Sequence, residues 1–178
     1  WTCSKEMVEE NKDVIYYLTL ENQNYVHPPM PKNIEKEVLK GLYKVVDNKK
    51  ASVQLFGSGP LLTEVLEAAE LLKKDWGVES SVWSVTSYSE LRREAEEIDR
   101  WNQNHPKENI KKSFLNDSLE SVYTPIVAVT DYMKLVSEQI RPFIENTYLT
   151  LGTDGFGRSD TREKLRDFFE VDRRWITV

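Results

Sequence analysis

The sequence predicts an α/β sandwich built on a mostly parallel sheet. From residue 41 onward, short β-branched and aromatic runs alternate with segments of helical period, the pattern of strands covered by crossover helices. Five such runs stand at 41–46, 53–56, 81–86, 126–130 and 148–151. Two of them, 53–56 and 148–151, open into glycine-rich turns that lead to helices, as a parallel strand does when it hands over to its crossover.

Taken in order, residues 1–13 are polar, acidic and expected to fray. Residues 14–20, Val-Ile-Tyr-Tyr-Leu-Thr-Leu, have strand composition. Residues 21–32 carry Pro28, Pro29 and Pro31 and are predicted to be extended, because proline blocks regular helix. A boundary is expected here, with 1–32 as an arm and linker and 33–178 as the α/β domain. His27 is read as an exposed linker histidine. A helical turn at 34–39 precedes the strand at 41–46. The loop Asp47-Asn48-Lys49-Lys50 has hairpin character, so 41–46 and 53–56 are expected to be antiparallel neighbours.

Gly57-Ser58-Gly59-Pro60 introduces a helix at 61–74, with Leu62, Val65, Leu66, Ala69 and Leu72 along one face and Gly77 as its stop. Gly57-x-Gly59 after a strand invites a dinucleotide-binding reading. The fingerprint fails, because Leu62 holds the third glycine position and no acid stands at the tip of the next strand. The turn is expected to let the helix pack close to the sheet. After the strand at 81–86, Ser89 is expected to cap a helix at 90–103. Its acids Glu94, Glu96, Glu97 and Asp99 interleave with Arg92, Arg93 and Arg100, which reads as a solvated face and not as a metal or acid–base site. Trp101-Asn102-x-x-His105-Pro106 ends it. A polar connection at 107–124, with a short helix near 114–119, leads to the apolar run 126–130, expected as a central strand covered on both faces. Asp131 is placed as the cap of a helix at 132–144, shortened by Pro142.

The closing stretch runs Tyr148-Leu149-Thr150-Leu151, then crowds Gly152, Gly155 and Gly157 into a turn. Ser159 or Asp160 is expected to cap the next helix, with Glu163 near capping-box spacing, and Leu165, Phe168 and Phe169 give it one apolar side. Glycines on both sides of Phe156 predict a positive φ angle and a packed ring. Exposed amides with Arg158 would suit an anion or a partner's carboxylate. Gly57, Ser58 and Gly59, together with Gly155, Phe156, Gly157, Arg158, Ser159 and Asp160, are therefore the candidate interface or anion-binding turns. Asp172 is expected to cap a last helix.

Composition bounds the function. A hydrophobic share of 39% and a mean hydropathy of -0.56 fit one core in a soluble domain, with no run long enough for a membrane helix and no secretory signal. A net charge of -6, with basic residues scattered among acids, argues against a nucleic-acid partner. Lone Cys3 and two distant histidines, His27 and His105, give no disulfide, zinc or Cys–His arrangement, and point to the cytoplasm. A chain opening on Trp1 and ending on Trp175-Ile176-Thr177-Val178 reads as a truncated piece of a longer protein.

GTDGFGRSDTREKLRDFFEVD (152–172) resembles the closing segment of homodimeric-type pyruvate dehydrogenase E1 components, thiamine-diphosphate enzymes of the transketolase superfamily. ENQNYVHPPMP (21–31), VQLFGSGPLLTEVLEAAELL (53–72), WSVTSYSEL (83–91) with DRWNQNHP (99–106), and VAVTDYMKLVSEQIRPFI (127–144) agree in order. TDGFGRSD and ENQNYVHPPMP argue against other superfamily branches. The resemblance implies a five-stranded mixed sheet whose first strand is antiparallel, in a three-layer α/β/α sandwich of the transketolase C-terminal-domain type. It makes 14–20 the last strand of the preceding pyrimidine-binding domain. The parent would decarboxylate pyruvate on thiamine diphosphate with Mg2+ in the cytoplasm and pass the acetyl group to the lipoyl groups of the dihydrolipoyl acetyltransferase complex. Its partners would be the rest of the E1 chain and a dimer mate. No Gly-Asp-Gly followed downstream by Asn-Asn occurs here, so the resemblance assigns no catalytic, cofactor-binding or metal-binding residue and predicts a structural, dimer-interface domain. The competing reading is a stand-alone nucleotide- or phosphate-binding module using the two glycine turns.

Overall fold

The computed structural model describes residues 2–20, 24–26 and 28–178. A helical turn α1 (Thr2–Ser4) continues as a π-helical turn at Lys5–Glu9. Residues 14–20 then run without regular pairing, with Ile15 92%, Tyr17 89% and Leu20 91% exposed. The expected strand is absent here. β-Rich composition makes a strand only where it meets a sheet edge and a covered face, and 14–20 pair with neither edge strand of the sheet. His27 lies outside the described residues.

The α/β body runs α2 (Glu35–Lys40), β1 (Leu42–Val46), β2 (Val53–Gly57), α3 (Leu61–Trp76), β3 (Ser80–Val85), α4 (Tyr88–Asn104), α5 (Phe114–Leu119), β4 (Ile126–Val129), α6 (Lys134–Glu138), β5 (Tyr148–Leu151) and α7 (Arg162–Phe168), with 3-10 turns at Arg141–Phe143 and Trp175–Thr177. Strand order is β1-β3-β2-β4-β5. β1 is antiparallel to β3 and every other pairing is parallel. Side chains alternate across the pleat. Leu55, Val82 and Val129 go under α3, while Phe56, Trp83 and Ala128 go under α4 and α5. The three-layer sandwich is therefore as expected.

The neighbours of β1 are not. β1 and β2 form no hairpin, because β3 lies between them. The connecting loop crosses the start of β3 and is fastened there. Asn48 N donates to Ser81 Oγ at 3.0 Å, Asn48 Nδ2 to Glu79 Oε2 at 2.7 Å, and Ser52 N to Glu79 O at 2.7 Å. Six residues easily span the roughly 10 Å between strands two places apart. β4 is interior, between β2 and β5, but the middle place belongs to β2. Backbone amides of β2 and β4 should exchange with solvent more slowly than those of edge strand β1; native-state hydrogen exchange with β1 slowest would contradict this pairing.

The chain winds from β2 through α3 to β3 on one side of β2, then returns to β4 and β5 on the other. The winding thus reverses between β2 and β4.

Several helix boundaries moved. Ser87, not Ser89, caps α4, its Oγ accepting from Glu90 N at 3.1 Å; Ser89 falls inside the first turn. The charged face of α4 is solvated as expected, with Arg93 paired to Glu90 and Glu97 and Arg92 to Glu96. Glu94 is the exception: both its oxygens accept from Phe114 N, at 3.1 and 2.9 Å, at the start of α5. The Trp101 corner is a clasp. His105 stacks on Trp101 at 4.3 Å, Lys111 Nζ lies 3.4 Å from the other ring's centroid, that of Trp101, and Asn102 bonds the Lys111 backbone twice at 2.9 Å. The helix expected at 132–144 is two short pieces, α6 and the turn holding Pro142, because Pro142 cannot continue an α-helical ladder. At the C-terminus, Asp172 Oδ1 accepts from Arg174 N at 2.8 Å and Trp175 N at 3.1 Å, capping a single 3-10 turn in place of a helix.

Candidate functional site

Both glycine turns lie at the carboxyl edge of the sheet, one after β2 and one after β5. Gly57 ends β2 where a Cβ would stand 2.9 Å from Leu62 Cα, so α3 approaches the strand as closely as expected. Ser58 is turned inward. Its N donates to Val129 O at 3.2 Å and its hydroxyl to the same oxygen at 3.4 Å. Leu61 N and Leu62 N donate back to Ser58 O and Gly59 O at 3.3 and 3.2 Å. These amides are taken up within the turn, so an anion at the start of α3 would find few backbone donors.

The loop after β5 is stitched to the loop after β4. Gly152 passes so close that a Cβ would lie 2.7 Å from Tyr132 O and 2.8 Å from Lys134 N. Thr153 N donates to Tyr132 O at 2.9 Å and Thr153 Oγ1 to Asp131 O at 2.7 Å. Asp154 Oδ1 accepts from Lys134 N at 2.8 Å. Asp154 therefore caps α6, the role expected of Asp131. Beyond it the chain lifts off. Gly155 has φ +99°, as its neighbourhood predicted, but Phe156 is 96% exposed and not packed. With open space around both Gly155 and Gly157, nothing holds the ring down. Phe156→Ala should therefore change stability by less than about 0.5 kcal/mol; a loss of several kcal/mol in urea unfolding would show that the ring packs in solution.

Neither expected cap forms on α7. Thr161 is its N-cap without a side-chain bond, and Asp160 Oδ1 only accepts from Thr161 N at 2.7 Å. Leu165 and Phe169 turn inward, whereas Phe168 is half-exposed beneath Arg158, whose guanidinium carbon lies 3.9 Å from the ring centroid. Arg162 and Arg166 lie over Tyr25 of the arm at 5.3 and 6.0 Å.

Together these parts enclose a crevice of about 300 Å³, lined by Pro60 and Leu61 after β2, Asp131 after β4, the 153–158 loop, and α7. Of the predicted turn residues, Gly155, Phe156, Gly157 and Arg158 line it. Gly57, Ser58, Gly59, Ser159 and Asp160 do not.

Sequence patterning gave no sign of the ionic cluster behind this crevice. Glu64, on the first turn of α3, has a side chain only 6% exposed. It accepts from Arg166 Nη1 at 2.6 Å, Arg173 Nε at 2.9 Å and Arg173 N at 3.1 Å, and Arg173 also pairs with Glu67. Burial alone raises the Glu64 pKa, but the Arg173 side-chain and backbone bonds and the charges of Arg173 and Arg166 bring the carboxyl below its ordinary value.

Among the described residues, no group of three or more His, Cys, Asp or Glu side chains could hold a metal ion. No helix among them is long and apolar enough to cross a membrane.

Residues 41–172 match the model of the transketolase-like TK C-terminal domain. The pyruvate dehydrogenase E1 component of Cupriavidus necator is 53% identical over 98% of this chain, and that of Pseudomonas aeruginosa 50% over 98%. The chain spans about a fifth of the length of each, 20%. In structure, the transketolase of Campylobacter jejuni superposes with a TM-score of 0.53 at 18% identity, over 78% of this chain and 18% of that one, a likeness of fold. The family match covers the strands, the crossover helices and both glycine turns, and the chain belongs to the transketolase-like C-terminal domain family.

Proposed function

We propose that this chain is the C-terminal, non-catalytic domain of a pyruvate dehydrogenase E1 component. What carries the reading is the identity of 53% across 98% of the chain to a protein of that name, of which it covers only 20%. The parent would be a thiamine-diphosphate and Mg2+ enzyme that decarboxylates pyruvate and hands the acetyl group to a dihydrolipoyl acetyltransferase complex, working as a cytoplasmic dimer. The domain, 33–178, would serve it as a buttress, with 1–32 as the link from the preceding domain. The stand-alone nucleotide- or phosphate-binding module is not favoured, since the whole chain aligns within longer enzymes.

The residues present do not fit the cofactor. A diphosphate with its metal needs oxygen ligands for Mg2+ and donors for phosphate. The described residues hold no acidic cluster of that kind, and the turn amides of Ser58, Leu61 and Leu62 are already bonded. No catalytic step is therefore assigned to this chain.

Exposed apolar side chains support an interface role. Ile15, Tyr17, Leu20, Val26 and Phe156 are each at least 89% exposed, and Ser159 and Asp160 extend the rim beside Phe156. Side chains of this kind commonly become buried against a partner, here the rest of the E1 chain and its dimer mate. The chain alone should neither bind thiamine diphosphate with Mg2+ in calorimetry nor turn over pyruvate. Micromolar cofactor binding would overturn the reading.

A further inference from the structure

The crevice at the carboxyl edge shares only Phe156 with the side chains named for the interface, and three independent features converge on it as a ligand site. The first is topology. The winding of the sheet reverses between β2 and β4, and ligands of open α/β sheets bind outside the carboxyl ends of the strands at such a reversal. The loops that follow β2 and β4 both contribute walls.

The second is size and lining. A volume of about 300 Å³ sits at the lower end of small-molecule sites, enough for one ring and a head group. Leu61, Leu165 and Phe169 supply an apolar floor.

The third is charge. Arg158, Arg162 and Arg166 line the crevice, and among the described residues Asp131 is the one acid doing so. Arg166 is committed to Glu64. Arg158 has no ion pair among the described residues, and its stacking on Phe168 holds one face of the guanidinium while leaving its N–H edge available. A stacked, planar fork is suited to a carboxylate or phosphate. The amides of Ser58, Leu61, Leu62 and Thr153 are already bonded, so on that side of the crevice side chains must meet the ligand's charge.

We propose that this crevice binds a small organic anion, its carboxylate or phosphate facing Arg158 and Arg162 and its apolar body lying on Leu61, Leu165 and Phe169. Binding is one molecule per chain and, unlike a diphosphate cofactor site, needs no Mg2+, so titrations without the metal separate it from the thiamine-diphosphate question.

The test is calorimetric titration of the 178-residue chain with phenylacetate, phenyl phosphate, benzyl alcohol and inorganic phosphate. One aromatic anion should saturate a single site roughly tenfold or more tighter than benzyl alcohol or inorganic phosphate, since both the charge and the apolar body contribute. The stronger of phenylacetate and phenyl phosphate identifies the head group. Arg158→Gln should weaken that binding about tenfold without moving the thermal midpoint, while Lys164→Gln, exposed and off the crevice, should leave it unchanged. Failure of both aromatic anions to saturate at millimolar concentration overturns the proposal. So does benzyl alcohol binding equally well, or an Arg158→Gln chain that binds as the parent does.

Discussion

Glu64→Ala is expected to destabilise the chain by about 3–5 kcal/mol, the usual consequence of removing one partner of a buried ion pair. The carboxylate joins three elements that are distant in sequence. Its partners Arg166 and Arg173 stand 102 and 109 residues further along. Val171 and Ile176, from the same closing segment, pack into the cluster formed by α3. Without Glu64, the Arg166 side chain, 15% exposed, keeps its burial and loses its counter-charge, and Arg173 N loses its acceptor. Glu64→Gln, which retains an acceptor, should fall between. Arg173→Ala should cost less, because its side chain is 42% exposed and Arg166 remains on the carboxylate. Urea unfolding with an unchanged slope would report these differences; a Glu64→Ala effect below about 1 kcal/mol would mean the cluster is open to water.

The same group gives the chain an acid limb. Its folded pKa lies below the ordinary 4.5 despite burial acting in the opposite direction. A depressed carboxylate contributes its full stability above the unfolded value and loses it as pH falls through the folded one. Asp172 behaves alike: burial raises it, but bonds from Arg174 and the Trp175 and Arg174 amides bring it below the ordinary 3.8. Stability should therefore decline as pH drops below the ordinary carboxylate range, and the Glu64→Gln chain should show a shallower decline. Parallel curves for the two would remove Glu64 from the acid limb.

What was legible beforehand follows from how far each signal reaches. The strand positions and the close packing at Gly57 come from residues within a few places of each other, and the structure agrees with them. The order of β1 and β3 does not. It depends on Glu79 and Ser81 catching a loop some thirty residues earlier, which no local pattern shows. Glu64 reads as one more acid on an amphipathic helix until its arginines arrive from α7 and the C-terminal turn. Asp154 and Asp131 show the same limit at short range. Either could cap the helix beginning near 134, and only the path of the loop past Gly152 decides. Phe156 was misplaced because glycines beside an aromatic permit a buried ring without requiring one.

Gly152→Ala is expected to cost about 2–3 kcal/mol, the range for forcing a methyl into a filled space. Its Cβ would meet Tyr132 O at 2.7 Å and Lys134 N at 2.8 Å, and both are backbone atoms that cannot swing aside. To relieve the contact, the 152–154 segment must move away from 131–134. That movement loosens the bonds from Thr153 N to Tyr132 O and from Lys134 N to Asp154 Oδ1, so the start of α6 loses its cap as well. The neighbouring glycines set the scale. Gly155→Ala meets no atoms but must hold φ near +99°, a strain of about 1 kcal/mol. Gly157→Ala meets no atoms and has no positive φ, so it should be neutral or stabilise slightly by restricting the unfolded chain. The order 152, 155, 157 should appear in denaturant midpoints. Equal costs at 152 and 157 would show that the two exit loops do not touch.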